Sequence, residues 1–237
     1  MITAFTDGAA KGNPGPGGWG AIVAVDGRVR ELGGGSAHTT NNQMEMTGVI
    51  EALRAVRGVE GTVELHTDST YVIQGITQWI HGWRRRGWRT AEGQPVLNRE
   101  LWEALAAEVA QRGRGGVRWH YVRGHAGVPG NERCDEIATG FAAGERAGLY
   151  EGPLAGYPID LTERPDDTSV PKRGSGTRGG KPAAAFSYLS VVNGVAMRHA
   201  TWPECERRVK GVAGARFKKA MSADDEAAIL RAWGVSL

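Results

Sequence analysis

The sequence predicts an α/β protein: a mixed sheet flanked by helices, with a smaller α/β module behind a Pro/Gly-rich linker. Three observations predict it. Short β-prone runs joined by turn residues fill the N-terminal part. Helical periodicity then alternates with strands as far as Phe141, and the pattern stops among prolines and glycines before resuming at Phe186.

Ile2 to Thr6 is short, β-prone and leads to Asp7. The run Gly8 to Gly18, broken by Pro14 and Pro16, is expected to be neither helix nor central strand. Trp19 to Val25 predicts a second strand, Asp26-Gly27 a hairpin turn, and Arg28 to Leu32 the returning strand. Thr40-Asn41-Asn42 offers an N-cap, behind which Met44, Val49, Leu53 and Val56 recur at helical spacing. Val63 to Thr67 predicts a fourth strand, followed by a helical stretch from Ser69. Leu101 to Val109 is helical, Val117 to Val122 is a fifth strand, and Pro129 to Phe141 closes the domain as a helix. These boundaries divide the chain into a domain over 1–148, a linker over 149–184 and a second domain over 185–237. In the second domain Tyr188 to Val192 predicts a strand, Trp202 to Val209 and Asp224 to Trp233 predict helices, and Asn193 to Met197 reads as a loop.

At 41% apolar and 23% charged residues the composition is ordinary for a globular protein. The net charge of +3 points only weakly to nucleic acid, so placement matters more than the total. Residues 1–150 carry 16 basic and 16 acidic side chains, and the excess falls in 184–237, with 8 basic and 5 acidic. Clustering is sharper still in one short segment, where Arg84, Arg85, Arg86 and Arg89 interleave with Trp83 and Trp88. Cys134 and Cys205 fall in separate domains, which argues against a disulfide framework or a zinc site. No signal peptide and no apolar run of ~18 residues is visible. A cytoplasmic monomer with no membrane association is the expectation.

Four carboxylates lie on separate elements. Asp7 follows the first strand, Glu45 sits early in the first long helix, Asp68 follows the fourth strand, and Asp135 is on the last helix of the first domain. A carboxylate after a strand is ordinarily a turn or cap residue, and one near a helix start is favoured by the dipole. Four converging carboxylates would repel one another unless cations sat among them. Oxygen ligands suit hard cations, Mg²⁺ above all, and two such ions could hydrolyse a phosphodiester.

These residues stand in recognisable motifs. Thr6-Asp7-Gly8 with Gly12-Asn13-Pro14-Gly15-Pro16-Gly17-Gly18, Thr40-Asn41-Asn42-Gln43-Met44-Glu45, Thr67-Asp68-Ser69, Gly124-His125-Ala126-Gly127 and Asn131-Glu132-Arg133-Cys134-Asp135 resemble, in this order, the motifs of bacterial type 1 ribonuclease H. The segment Gly75 to Trp83 with its arginines resembles that family's basic protrusion. The resemblance covers about residues 1–145 and implies a mixed five-stranded sheet flanked by helices. It implies a Mg²⁺-dependent endonuclease, with Mn²⁺ as a substitute, that cuts the RNA strand of RNA–DNA hybrids and leaves 5′-phosphate and 3′-hydroxyl ends. Asp7, Glu45, Asp68 and Asp135 would be the metal-binding tetrad and His125 the mobile histidine beside it. Asn13, Thr40, Asn41, Asn42 and Gln43 would meet 2′-hydroxyls, base edges and phosphates, while Trp83, Arg84, Arg85, Arg86 and Trp88 would form a phosphate-gripping handle. Trp79 and Trp83, at i, i+4 spacing, are expected to pack inward beneath the arginines. One departure is Thr70, where the family often has glutamine; it puts a minor substrate contact in doubt.

Thr201-Trp202-Pro203-Glu204-Cys205, Val209-Lys210-Gly211 and Gly214-Ala215-Arg216-Phe217-Lys218-Lys219 resemble the small hybrid-binding domain of many ribonucleases H1, which usually precedes the catalytic domain. The resemblance implies that Trp202 and Phe217 pack on deoxyribose and that Arg216, Lys218 and Lys219 grip phosphate, with Tyr188 a weaker candidate. The family's basic residues are missing after the first strand of this module, at Asn193 to Met197. A non-catalytic hybrid binder is disfavoured because all four carboxylates are present. An integrase or junction resolvase on the same architecture is disfavoured by the Thr40 to Glu45 run and the arginine handle.

Overall fold

The computed structural model describes residues 2–124, 127–145, 148–162, 186–192, 194–210, 212, 215–220 and 222–236. The chain divides into two compact units, Met1–Pro171 and Lys172–Leu237.

In the first unit the strands are β1 (Ile2–Ala10), β2 (Gly15–Val25), β3 (Arg28–Thr39), β4 (Val63–Thr67), β5 (Val117–Tyr121) and β6 (Glu151–Pro153). They form one mixed sheet in the order β5-β4-β1-β2-β3-β6. The strands β1, β2 and β3 form an antiparallel meander, whereas β4 and β5 run parallel to β1. The helices are α1 (Asn41–Ala55), α2 (Thr70–Gln74), α3 (Ile80–Arg85), α4 (Arg99–Gln111) and α5 (Pro129–Ala142), with a π-helical turn over Gly75–Trp79 joining α2 to α3.

The sheet separates two cores. On one side Ile2, Ala4, Ala21, Val23 and Leu65 pack against Met46, Ile50 and Leu53 of α1 and Trp102 and Leu105 of α4. On the other, Phe5, Ile22 and Ala24 pack with Val122, Val128 and Cys134. Burying both faces of β1 explains why its residues are apolar in succession rather than alternately.

The structure corrects the sequence reading in three places here. The Gly/Pro-rich run is not all loop, because β1 continues to Ala10 and β2 begins at Gly15, so Gly8, Gly17 and Gly18 lie in central strands. These glycines are there for closeness: a Cβ on Gly18 would lie 2.3 Å from the Ala138 carbonyl oxygen of α5. The sheet has six strands rather than five, since Glu151–Pro153 pairs antiparallel with β3. Residues 149–162, expected to be linker, therefore belong to the first unit, and Leu161 is buried in its core. The rest of the expected linker, 163–184, lies outside the described residues.

In the second unit β7 (Ser187–Val192), β8 (Val195–His199) and β9 (Arg216–Ala220) form an antiparallel sheet in the order β8-β7-β9, with α6 (Trp202–Val209) and α7 (Ala223–Trp233) packed on it. The expected loop after β7 is instead a tight turn at Gly194, with φ +78°, and Val195 to Met197 belong to β8. Both cysteines are free and buried. Among the described residues no helix is long and apolar enough to cross a membrane.

Candidate active site

Backbone register brings the four carboxylates to one edge of the sheet. Thr6 of β1 lies beside Thr67 of β4 in parallel pairing, so Asp7 and Asp68 follow side by side. Asp7 pairs across with Gly20 of β2, and a Cβ on Gly20 would meet the Cys134 carbonyl oxygen at 2.3 Å. Through that contact α5 delivers Asp135, the next residue, to the same place. A Cβ on Gly8 would lie 2.2 Å from the Glu45 backbone nitrogen, so α1 presses on β1 beside Asp7.

Asp7 is 6% exposed. Its carboxyl is pushed up to about 8, first by burial and then by the charges of Asp68, Asp135 and Glu45, against the Gly8 amide that donates to Asp7 Oδ1 at 2.7 Å. Glu45 is also raised, by burial first and by Asp68, in spite of bonds from the Ser69 hydroxyl and from Asn41 Nδ2, the latter at 2.8 Å. Asp68 and Asp135 are half-buried.

Two residues that sequence reasoning left without a role hold this cluster. Ser69 caps α2, accepting from the Val72 amide at 3.2 Å while donating to Glu45. Asn131 is 2% exposed, and its Nδ2 lies 3.5 Å from Asp7 Oδ2. The signals were present: Ser69 is a cap-type residue directly after Asp68, and Asn131 precedes Asp135 by one helical turn.

The residue types fit hard divalent cations. The donors are oxygens, Asp7 and Glu45 are both raised by burial first and by neighbouring carboxylate charge that a cation would offset, and the buried Asn131 Oδ1 has no hydrogen-bond partner. Among the described residues no three His, Cys, Asp or Glu side chains are arranged to hold an ion by themselves.

The polar run beside the carboxylates is partly occupied with shaping α1. Thr40 and Gln43 form a reciprocal capping box, the Gln43 amide donating to Thr40 Oγ1 at 3.3 Å and the Thr40 amide to Gln43 Oε1 at 2.9 Å. Asn13 accepts from the Asn41 amide at 3.3 Å, and Asn42 is exposed. The capping box occupies the side chains of Thr40 and Gln43, leaving Asn13 and Asn42 as the exposed members of the set.

In the protrusion Trp83 is half-buried against Trp79 and Trp102, with ring centroids 5.7 and 5.3 Å apart. Trp88 is half-buried, with the Arg99 guanidinium 5.4 Å from its ring centroid. Both tryptophans thus pack inward, while Arg84, Arg85 and Arg86 are exposed. Arg86 Nε donates to the Arg89 carbonyl at 3.1 Å, and Arg89 to the Gly93 carbonyl at 2.8 Å, so these two arginines shape the loop. His125 lies outside the described residues.

In the second unit Trp202 is 37% and Phe217 53% exposed, and the Trp202 ring lies 5.4 Å from Phe217 and 5.8 Å from Tyr188. Strand register divides the expected basic set. Phe217 and Lys219 pair with Ser190 and Tyr188, sharing their face, whereas Arg216 and Lys218 pair with Val191 and Leu189 on the other. There the Arg216 guanidinium lies 5.5 Å from the Trp233 ring centroid.

Comparison with known proteins identifies the family of the carboxylate-bearing unit. Residues 1–142 match the RNase H family. The chain is 56% identical to a ribonuclease H of Bradyrhizobium diazoefficiens over 138 residues, 58% of this chain and 87% of that protein. It is 52% identical to one of Mesorhizobium japonicum over 158 residues, 67% and 86% of the two chains. Among solved structures, LC9-RNase H1, described as a type 1 RNase H with the type 2 active-site motif, superposes with a TM-score of 0.54 at 30% identity, covering 75% of this chain and 97% of that one. The carboxylate-bearing unit and these matches coincide in sequence, and the chain belongs to the RNase H family, as a ribonuclease H that cuts RNA within RNA–DNA hybrids.

Proposed function

We propose that this ribonuclease H works by two-metal-ion hydrolysis at Asp7, Glu45, Asp68 and Asp135. The observation that supports it is the raised Asp7 carboxyl, buried within reach of the other three charges. These four side chains would hold Mg²⁺, with Mn²⁺ able to replace it. The chemistry such ions supply when bound is an activated water and charge stabilisation at the leaving oxygen, which would leave 5′-phosphate and 3′-hydroxyl ends.

The chain's own residues prepare this chemistry. Ser69 and Asn41 each donate to Glu45 and fix its carboxylate, while the Gly8 amide orients Asp7. Asn13 and Asn42 stand exposed beside the carboxylates, where amides can meet the 2′-hydroxyls that distinguish RNA from DNA. Arg84 and Arg85 offer charge to the phosphate backbone. His125 is proposed to assist proton movement or product release. The second unit is proposed to bind hybrid through Trp202, Phe217, Lys219 and Tyr188, without base readout. Held in the same chain, it would raise the effective concentration of the catalytic unit on long hybrids.

Labelled RNA–DNA hybrid, duplex RNA and duplex DNA, each incubated with Mg²⁺ or EDTA, test this reading. Cleavage of hybrid alone, and only with metal, is expected. Asp7→Asn should abolish cleavage and spare hybrid binding; an active Asp7→Asn protein would remove Asp7 from the metal site.

A further inference from the structure

The sequence pattern marks the segment after α5 as linker, yet this segment supplies two of the four hydrogen bonds to a buried carboxylate, Glu31. Glu31, on β3, is 4% exposed. Its carboxylate accepts from Arg133 Nε at 2.8 Å and Nη2 at 3.0 Å, from the Tyr150 amide at 2.9 Å and from the Tyr157 hydroxyl at 2.7 Å. Burial would raise Glu31, but these donors outweigh it and hold the carboxyl below its ordinary range. The Glu31 amide donates back to the Tyr150 carbonyl at 2.8 Å, and Arg133 Nη2 donates to the Gly148 carbonyl at 3.2 Å. Beyond the clasp, β6 pairs with β3, and Leu161 enters the core beside Phe5, Val128 and Cys134.

Arg133 is on α5, two residues before Asp135. The helix is therefore gripped twice. On its sheet side Gly18 and Gly20 admit the carbonyls of Ala138 and Cys134. On its outer flank the guanidinium is locked by a carboxylate that the Tyr150 amide and Tyr157 hydroxyl orient. Backbone contact along the glycines and the buried side chains of Cys134, Ile137 and Ala138 seat α5 on the sheet. The bidentate Arg–carboxylate pair adds a directional hold beside Asp135, because its planar geometry admits one orientation and limits small rotations of the helix. Rolling α5 would swing Asp135 away from Asp7.

We infer that residues 148–161 are a positioning strap for the cation site, in which Tyr157 and Glu31 act on Asp135 through Arg133. This rests on the proposed role of Asp135 as a metal ligand. Tyr157, Glu31 and Arg133 are placed here as positioning residues that act through Asp135, so their effect should fall on metal binding rather than on the chemical step.

The test uses the full chain. Mn²⁺ binding is titrated by electron paramagnetic resonance, and the Mg²⁺ dependence of hybrid cleavage is measured alongside. Tyr157→Phe removes one hydroxyl and leaves the ring contact with Tyr150, 4.9 Å away. It is expected to weaken Mn²⁺ binding roughly threefold to tenfold, the lower end of what outer-shell partners of metal ligands contribute. The Mg²⁺ concentration for half-maximal cleavage should rise in step, with the plateau rate changed less than about twofold. Arg133→Lys, which keeps the charge but loses the paired donors, should weaken binding further. Leu161→Ala tests the strap without touching the clasp and should move metal affinity in the same direction. Folded Tyr157→Phe and Leu161→Ala proteins that bind Mn²⁺ as tightly as the parent chain would overturn the inference. Asp135→Asn separates the two ideas. If it leaves Mn²⁺ binding unchanged, the ligand assignment falls and the inference with it; if it weakens binding while the strap variants do not, the inference alone falls.

Discussion

Gly8 lies directly against the backbone of Glu45: a Cβ at position 8 would stand 2.2 Å from the Glu45 nitrogen and 2.5 Å from the Met44 carbonyl carbon. Two metal-site elements, β1 and α1, are thereby held at a separation only glycine permits. Gly8→Ala must push backbone rather than a side chain. A loss of about 2–3 kcal/mol is expected from the overpacking, with cleavage falling ~100-fold as Glu45 is displaced. Thermal melts and initial rates measure both. Gly140→Ala is the control, since its added Cβ meets nothing within 4 Å and its helical position favours alanine.

The raised Asp7 carboxyl makes stability depend on pH in a definite direction. Its value moves from an ordinary 3.8 unfolded to about 8 folded. The folded state thus prefers the protonated form. That preference is fully present below about 3.8 and is lost as pH rises through about 8. Metal-free protein should lose stability across this window, by at most ~6 kcal/mol and less if the neighbouring carboxylates share the proton. Asp7→Asn should flatten the loss, and Mg²⁺ should raise the melting temperature more at pH 9 than at pH 6. A melting temperature with the same pH slope in Asp7→Asn and parent chain would contradict the assignment of the charge conflict to Asp7.

The four arginines of the protrusion differ in what they do. Arg86 and Arg89 bond carbonyls of their own loop, whereas the side chains of Arg84 and Arg85 make no hydrogen bond or ion pair with the described residues. Replacing Arg84 and Arg85 together by alanine should weaken hybrid binding and lower the salt dependence by about one unit of slope for each phosphate left without its guanidinium. Melting temperature should stay nearly constant. Arg86→Ala should instead loosen the loop, with a measurable loss of stability. Equal salt slopes before and after the double substitution would show that these guanidiniums do not meet phosphate.

The register of β9 predicts an asymmetry in the second unit. Lys219 shares the face of Phe217 and Tyr188, and Arg216 sits with Trp233 on the other. Trp202→Ala should weaken binding of a long hybrid by about 1–3 kcal/mol, the usual effect of removing a stacking aromatic. Lys219→Ala should cost more affinity than Arg216→Ala. Gel-shift titrations with catalytically silent Asp7→Asn protein read this directly. A larger effect at Arg216 would move the binding face to the other side of the sheet.

Much of this molecule is legible from residue order. The alternation of strand and helix patterns located α1, α4, α5 and the small unit's helices, because burial of one face imposes a period that survives in the sequence. Cap chemistry marked the start of α1 at Thr40. The four carboxylates stood out because each sits in a distinct motif. Other features were hidden for identifiable reasons. Glycine and proline between Gly8 and Gly18 signal a loop when read locally, yet Gly8 answers to α1 and Gly18 to α5 lying on the strands, the latter a contact with residues more than a hundred positions away. Likewise β6 is three residues long and carries a proline, so nothing local marks it as a strand; its partner Arg28–Arg30 does.

Residue order by itself determined which side chains could do chemistry, which stretches could be helix or strand, and which family the first domain belongs to, because these depend on local preference and on motifs that are contiguous. Tertiary structure alone decided that Asp7, Glu45, Asp68 and Asp135 share one edge, that Asp7 is forced toward its protonated form, and that Glu31 closes on Arg133, Tyr150 and Tyr157. The reason is physical. Electrostatic coupling and desolvation depend on distance and burial, and both are fixed only when strand register and helix docking bring distant segments together.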